Sequence, residues 1–90
     1  MIDMSQKPIV NRHVRLQWEP SQSSYVLLYP EGMVKLNVSA SEILRECNGE
    51  HTVADICHTL QSRYPEAGSL HQDVCDFFSG AGDKGWTDFV

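Results

Sequence analysis

Three pairings in this 90-residue chain bring together side chains that do chemistry: Cys47 with His51, the adjacent Cys57 and His58, and His71 with Cys75. Thiolates and imidazoles at short spacing hold zinc, or serve as a nucleophile and its base. Neither chemistry is completed here. The spacing matches no zinc pattern, and neighbouring residues 57 and 58 on a helix point in different directions. His71 and Cys75 sit one helical turn apart, yet no third orienting group, oxyanion site or cleft accompanies them. The carboxylates are dispersed, and no glycine-rich loop precedes a helix as phosphate binding requires. The chain lacks the parts of an enzyme and implies neither a metal nor a cofactor. Its three cysteines are an odd number, and they are expected to be reduced core residues without a disulfide.

Binding remains, and it depends on the elements that would shape a surface. Tyr25-Val26-Leu27-Leu28-Tyr29 and the stretch Met33 to Asn37 bracket Pro30-Glu31-Gly32, which reads as a hairpin. Val14-Arg15-Leu16-Gln17-Trp18 alternates, placing Val14, Leu16 and Trp18 on one face of a preceding strand. Tyr25 to Tyr29 is apolar on both faces and suits the centre of a three-stranded antiparallel meander. Val34 and Leu36 then form the inward pair, with Met33, Lys35 and Asn37 on the other face. Residues 1–11, with Pro8 among them, read as an irregular N-terminal arm, and 12–90 as one domain.

Three helices follow. The first spans about Ala40 to Cys47, opened by a Ser39–Glu42 box and a Val38–Ile43 staple and stopped at Asn48-Gly49. The second starts after Thr52, buries Val53, Ile56, Cys57, Leu60 and Tyr64, and ends at Pro65. The third starts after Ser69 with a Ser69–Gln72 box, buries Leu70, Val74, Phe77, Phe78 and Ala81, and frays near Asp83 among glycines. Trp86 returns to the core, or Trp86 to Val90 is a loose apolar tail. This order is that of an α+β domain of winged-helix type, a three-stranded antiparallel sheet followed by three helices.

Twelve acidic against seven basic side chains leave a formal charge of -5, and the basic residues are scattered along the chain. Phosphate binding needs them clustered, so charge argues against nucleic acid and against the alternative of a DNA-binding winged helix. No apolar run of about 20 residues and no signal-peptide pattern is present, which predicts a soluble, cytoplasmic protein with no membrane partner.

If nothing later pairs with residues 33–37, that strand has a free edge able to accept a visiting strand. The candidate groove lies between Met33, Val34, Lys35, Leu36 and Asn37 and the third helix, with Leu70, Asp73, Val74, Phe77, Phe78 and Ala81. Phe77 and Phe78 are equally at home in a core, Lys35 equally a guard of the edge, and Asp73 and Asp76 equally partners of the helix dipole. A free edge also makes either a monomer or a strand-exchanged dimer consistent with the sequence.

Trp18-Glu19-Pro20, the block Tyr25 to Gly32, Leu36-Asn37, Ser39-Ala40, Glu42-Ile43-Leu44, Gly49, Asp73-Val74 and Lys84-Gly85-Trp86 resemble the PqqD family over about residues 10 to 87. The resemblance implies a peptide chaperone of pyrroloquinoline quinone biosynthesis. Such a protein binds the ribosomally made precursor PqqA and presents it to the radical S-adenosylmethionine enzyme PqqE, which joins a glutamate to a tyrosine side chain. It further implies that the peptide adds a strand beside the third strand, against the third helix. The sheet face opposite the helices, with Leu27 and Tyr29, is the expected contact for the enzyme.

Overall fold

In a computed structural model describing residues 2–90, the backbone turns tightly at Pro30-Glu31. Proline presets φ for such a turn, which joins β3 (Ser24–Tyr29) to β4 (Gly32–Lys35) with Tyr29 opposite Gly32. β2 (Arg15–Glu19) pairs antiparallel on the far side of β3, so the sheet order is β2-β3-β4, the meander read from the sequence.

Register decides which side chains face the helices. Leu27 lies between Leu16 and Val34, and directly opposed residues share a face, so these three turn inward together with Tyr25 and Leu36. Val26 and Leu28 turn the other way, beside Gln17 and Lys35, and Arg15 and Met33. Both Val26 and Leu27 are 0% exposed, so β3 is covered on both faces. This corrects the placing of Leu27 and Tyr29 on the outer face: a shift of one residue exchanges the two sets, and Leu27 belongs to the core.

The helices begin where side chains can satisfy their first N–H groups. α1 (Val38–Arg45) starts at Val38 because Asn37, not Ser39, is the cap, its Oδ1 accepting the Ala40 N–H at 2.8 Å. Val38 is left 72% exposed rather than packed on Ile43. At the start of α2 (Val53–Arg63), Thr52 Oγ1 accepts the Asp55 N–H and Asp55 Oδ2 accepts the Thr52 N–H, both at 3.0 Å. The Val53 and Ala54 N–H groups donate to the carbonyls of Gln6 and Met4 at 2.9 and 3.0 Å. Every donor that opens α2 is thereby paired.

A 3₁₀ turn (Pro65–Ala67) leads to α3 (His71–Asp83). The expected Ser69–Gln72 box does not form; Gln61 reaches across from α2 instead, donating to the Gly68 carbonyl and accepting the Leu70 N–H at 3.0 Å. α3 closes in a Schellman motif, Trp86 N–H to Ala81 O at 2.9 Å and Gly85 N–H to Gly82 O at 3.1 Å. Gly85 takes a φ of +76°, which a side chain disfavours. Phe78, Leu27, Leu44 and Ile56 are fully buried between sheet and helices, each contributing about 1.5–3 kcal/mol.

The N-terminal segment departs most from expectation. Within the supposed irregular arm, Pro8–Val10 form β1, antiparallel to β5 (Thr87–Phe89) in a second, two-stranded sheet. Proline loses nothing as the first residue of an edge strand; Pro8 is buried and its carbonyl accepts the Gly49 N–H at 3.0 Å. Residues 87–89 are therefore strand rather than loose tail.

Asn37→Ala and Thr52→Ala are each expected to lower stability by about 1 kcal/mol in urea denaturation. The Thr52 N–H, then its hydroxyl, hold the Asp55 carboxyl below its ordinary 3.8. A depressed folded pKa contributes stability above the unfolded value that is lost as pH falls through the folded one. Denaturation of wild type and Asp55→Ala at a series of pH values should show a gap at neutral pH that closes through the carboxylate range.

Candidate binding groove

The hydrogen-bonding phase of β4 follows from one contact. Leu36 N–H donates to Tyr25 O at 3.0 Å. In the register that pairs Val26 with Lys35 and Leu28 with Met33, Val34 and Gly32 therefore bond to β3. Alternation in an antiparallel ladder then turns the N–H and C=O of Met33 and Lys35 away from β3. β4 ends its sheet, so these four backbone groups form a free, regularly spaced edge.

The start of α3 meets the start of α1, which follows β4, and the residues that close α3 meet Val34 of β4, with a cleft at each of these two places. The first, about 310 Å³, lies between the starts of α1 and α3 and the end of α2; its apolar walls are Val38, Ile43, Leu60, Tyr64, Leu70 and Val74. Asp73 and Glu42 also line it. Arg63 approaches Glu42 at 3.8 Å and Glu46 at 3.1 Å, and the Glu42 carboxylate near the Tyr64 phenol raises it above its ordinary value. Asp73 has no ion-pair partner among the described residues. The second cleft, about 820 Å³, is bounded by Val34 of β4, Tyr29 and Pro30 before the turn, Asn11 and His13, and Lys84 to Trp86 after α3. The Lys84 ammonium sits 4.7 Å above the Trp86 ring, an attraction between a cation and the negative face of the ring.

The sequence-derived site residues divide accordingly. Leu70, Asp73 and Val74 line the first cleft and Val34 the second. Met33 and Lys35 offer backbone to the edge, but their side chains lie on the outer face with Leu28 and Val26. Asn37 is occupied as the α1 cap. Leu36, Phe78 and Ala81 are core residues, at 5%, 1% and 2% exposure, and Phe77 is half-buried edge-on to Phe78 at 5.6 Å. Phe78 and Ala81 continue the inward stripe begun by Val74 at helical spacing, which takes them out of the groove. Tyr29 lines the second cleft, while Leu27 reaches no surface.

Val38, Tyr64, Lys84 and Trp86 join these clefts without having been singled out as site residues. A large apolar residue left exposed in the first turn of a helix was the signal at Val38, hidden by the wrong cap. Three of the seven basic side chains gather here: Arg12 and Arg15 line a shallow recess that shares His13, Tyr29 and Pro30 with the second cleft, whose wall includes Lys84.

No grouping of three or more His, Cys, Asp or Glu able to hold a metal occurs among the described residues, and none of their helices is long and apolar enough to cross a membrane. Cys47 donates to Ile43 O at 3.2 Å, and burial, then Glu46, push its thiol up to about 12. Cys57 is raised as well, first by burial. These are unreactive thiols.

The architecture is that of an α+β domain with an open strand edge, the kind of edge to which extended polypeptides add as a further strand in other proteins. Residues 24–86 match the family model for Coenzyme PQQ synthesis protein D, and the chain belongs to the PqqD family. It is 47% identical over 94% of its length to a PqqA binding protein of Stutzerimonas stutzeri, covering 92% of that protein. It is likewise 47% identical over 88% of its length to a PqqA binding protein of Acinetobacter baylyi, covering 80% of that one. Its fold matches the solution structure of the PqqD truncation of Methylobacterium extorquens PqqCD, a stand-alone recognition element for ribosomally synthesized and post-translationally modified peptides. The TM-score is 0.79, at 26% identity, covering 98% of this chain and 95% of that one.

Separating core from groove is testable by stability alone. Phe78→Ala is expected to cost about 3–5 kcal/mol, whereas Val38→Ser should stay within about 0.5 kcal/mol. Comparable losses in the two variants by urea denaturation would contradict the assignment.

Proposed function

We propose that this chain binds the precursor peptide PqqA as an added strand on β4 and presents it to the radical S-adenosylmethionine enzyme PqqE, acting in the cytoplasm as an adaptor without catalytic chemistry. The outward N–H and C=O groups of Met33 and Lys35, set beside a groove with a cleft at each end, carry the reading. Relatives of similar length named PqqA binding protein support it, and three free thiols suit a reducing compartment.

The physics favours such a division of labour. A short precursor is disordered alone, and ordering it on binding costs on the order of 2–5 kcal/mol. A preformed edge lets backbone hydrogen bonds and one or two buried apolar side chains supply that cost, leaving the reactive segment free for the enzyme. The working unit is a monomer whose edge is free; a strand-exchanged dimer would use the same groups and compete with the peptide.

Titrating synthetic PqqA peptide into isotope-labelled protein should shift the amides of residues 33–38 and 70–77 and slow hydrogen exchange at Met33 and Lys35. Lys35→Pro removes an outward N–H that the ladder does not use, so it should fold and bind at least tenfold more weakly. Exchange at 33 and 35 unchanged by saturating peptide would overturn strand addition. A PqqE pull-down that is indifferent to this protein would remove the presenting role.

A further inference from the structure

The groove ends in two unlike places. Asp73, without an ion-pair partner among the described residues, stands at the first cleft, where Glu42 is already shared with Arg63 at 3.8 Å. Lys84 stands at the second, with Arg12 and Arg15 in the adjoining recess; Glu31 is the carboxylate in the cleft lining, and Asp88 accepts a hydrogen bond from Asn11 of its wall at 2.7 Å. In a chain with a formal charge of -5, this end collects three of the seven Lys and Arg residues, plus His13. Loops distant in sequence supply them: the segment after β1, the start of β2 and the residues closing α3. The Schellman turn at Gly85 and the Trp86 ring beneath the ammonium hold Lys84 at the cleft wall.

We propose that the groove is read by charge at its two ends: it selects a peptide strand with a basic side chain over Asp73 and an acidic one over Lys84, and this order fixes the strand's direction on β4. The inference rests on the peptide-binding reading above and extends it to specificity. The spacing follows from geometry. Asp73 and Lys84 are eleven residues apart along α3 and its cap, about 16 Å at 1.5 Å per residue. An extended strand covers that in about five residues. The separation is twice the Debye length of about 8 Å at physiological ionic strength, so the two ends act as independent contacts. Each is exposed and modest, and their value lies in discrimination: a strand laid in reverse meets a like charge at both ends.

The test is a pair of double-mutant cycles with PqqA peptide. Asp73→Asn and Lys84→Gln are measured against the native peptide, a peptide with Lys and Arg replaced by Gln, and one with Asp and Glu replaced by their amides. Asp73→Asn should weaken native peptide about three- to fivefold and lose that effect on the peptide without basic residues. Lys84→Gln should do the same with the peptide lacking acidic residues. The reversals Asp73→Lys and Lys84→Glu should each approach tenfold, and urea denaturation of every variant checks that its fold is kept. Equal effects on all three peptides, or coupling of Asp73 to the acidic residues, would overturn charge reading while leaving peptide binding intact. No binding of native peptide by the wild-type protein would remove the function beneath it.

Discussion

The pairing of Pro8–Val10 with Thr87–Phe89 is the constraint on which the rest of the molecule depends. Among the described residues it commits the two strands outside the meander to each other, so that neither covers β4. The same segment reaches inward at several points: Val10 N–H to Cys47 O, Gly49 N–H to Pro8 O, and the carbonyls of Met4 and Gln6 to the start of α2. Asn11 N–H bonds the Trp86 carbonyl at 2.9 Å, which fixes the residue that walls the second cleft. Chain ends elsewhere in small domains are commonly loose; here they hold α2, the α1–α2 turn and the end of α3 in one frame.

An exposed strand edge invites self-association, and this chain limits the hazard by ordinary means. β4 is only Gly32–Lys35, too short to pair strongly without help from the groove. Lys35 and Glu31 bracket it with charge, and the excess of acidic residues keeps copies apart. On the proposed function, a partner would have to bring side chains that fill the clefts as well as backbone that fits the edge. Recognition and restraint come from the same arrangement.

Much of this architecture was legible in the sequence. Period-two alternation gave the strands, 3.6-residue periodicity the helices, and the turn residues their order, because each is a local property. The failures share a cause. Leu27 was turned outward because β3 is apolar on both faces and only its partners Leu16 and Val34 settle the parity. Ser39 and Asn37 both have capping side chains, and the end of β4 chooses between them. β1 and β5 are three residues each and begin to look like strands only when paired. The gathering of Arg12, Arg15 and Lys84 is invisible along a chain that separates the first two from the third by most of its length. Leu70, Asp73, Val74 and Val34 line the two clefts, whereas Leu36, Phe78 and Ala81 are core, a separation that only the fold draws.

The Val90 N–H donates to the Lys7 carbonyl at 2.8 Å, beside the point where Pro8 faces Phe89. Both strands of this antiparallel pair leave it at that one end, so a force drawing Lys7 and Val90 apart would load its hydrogen bonds one after another, as a zipper opens, rather than all at once.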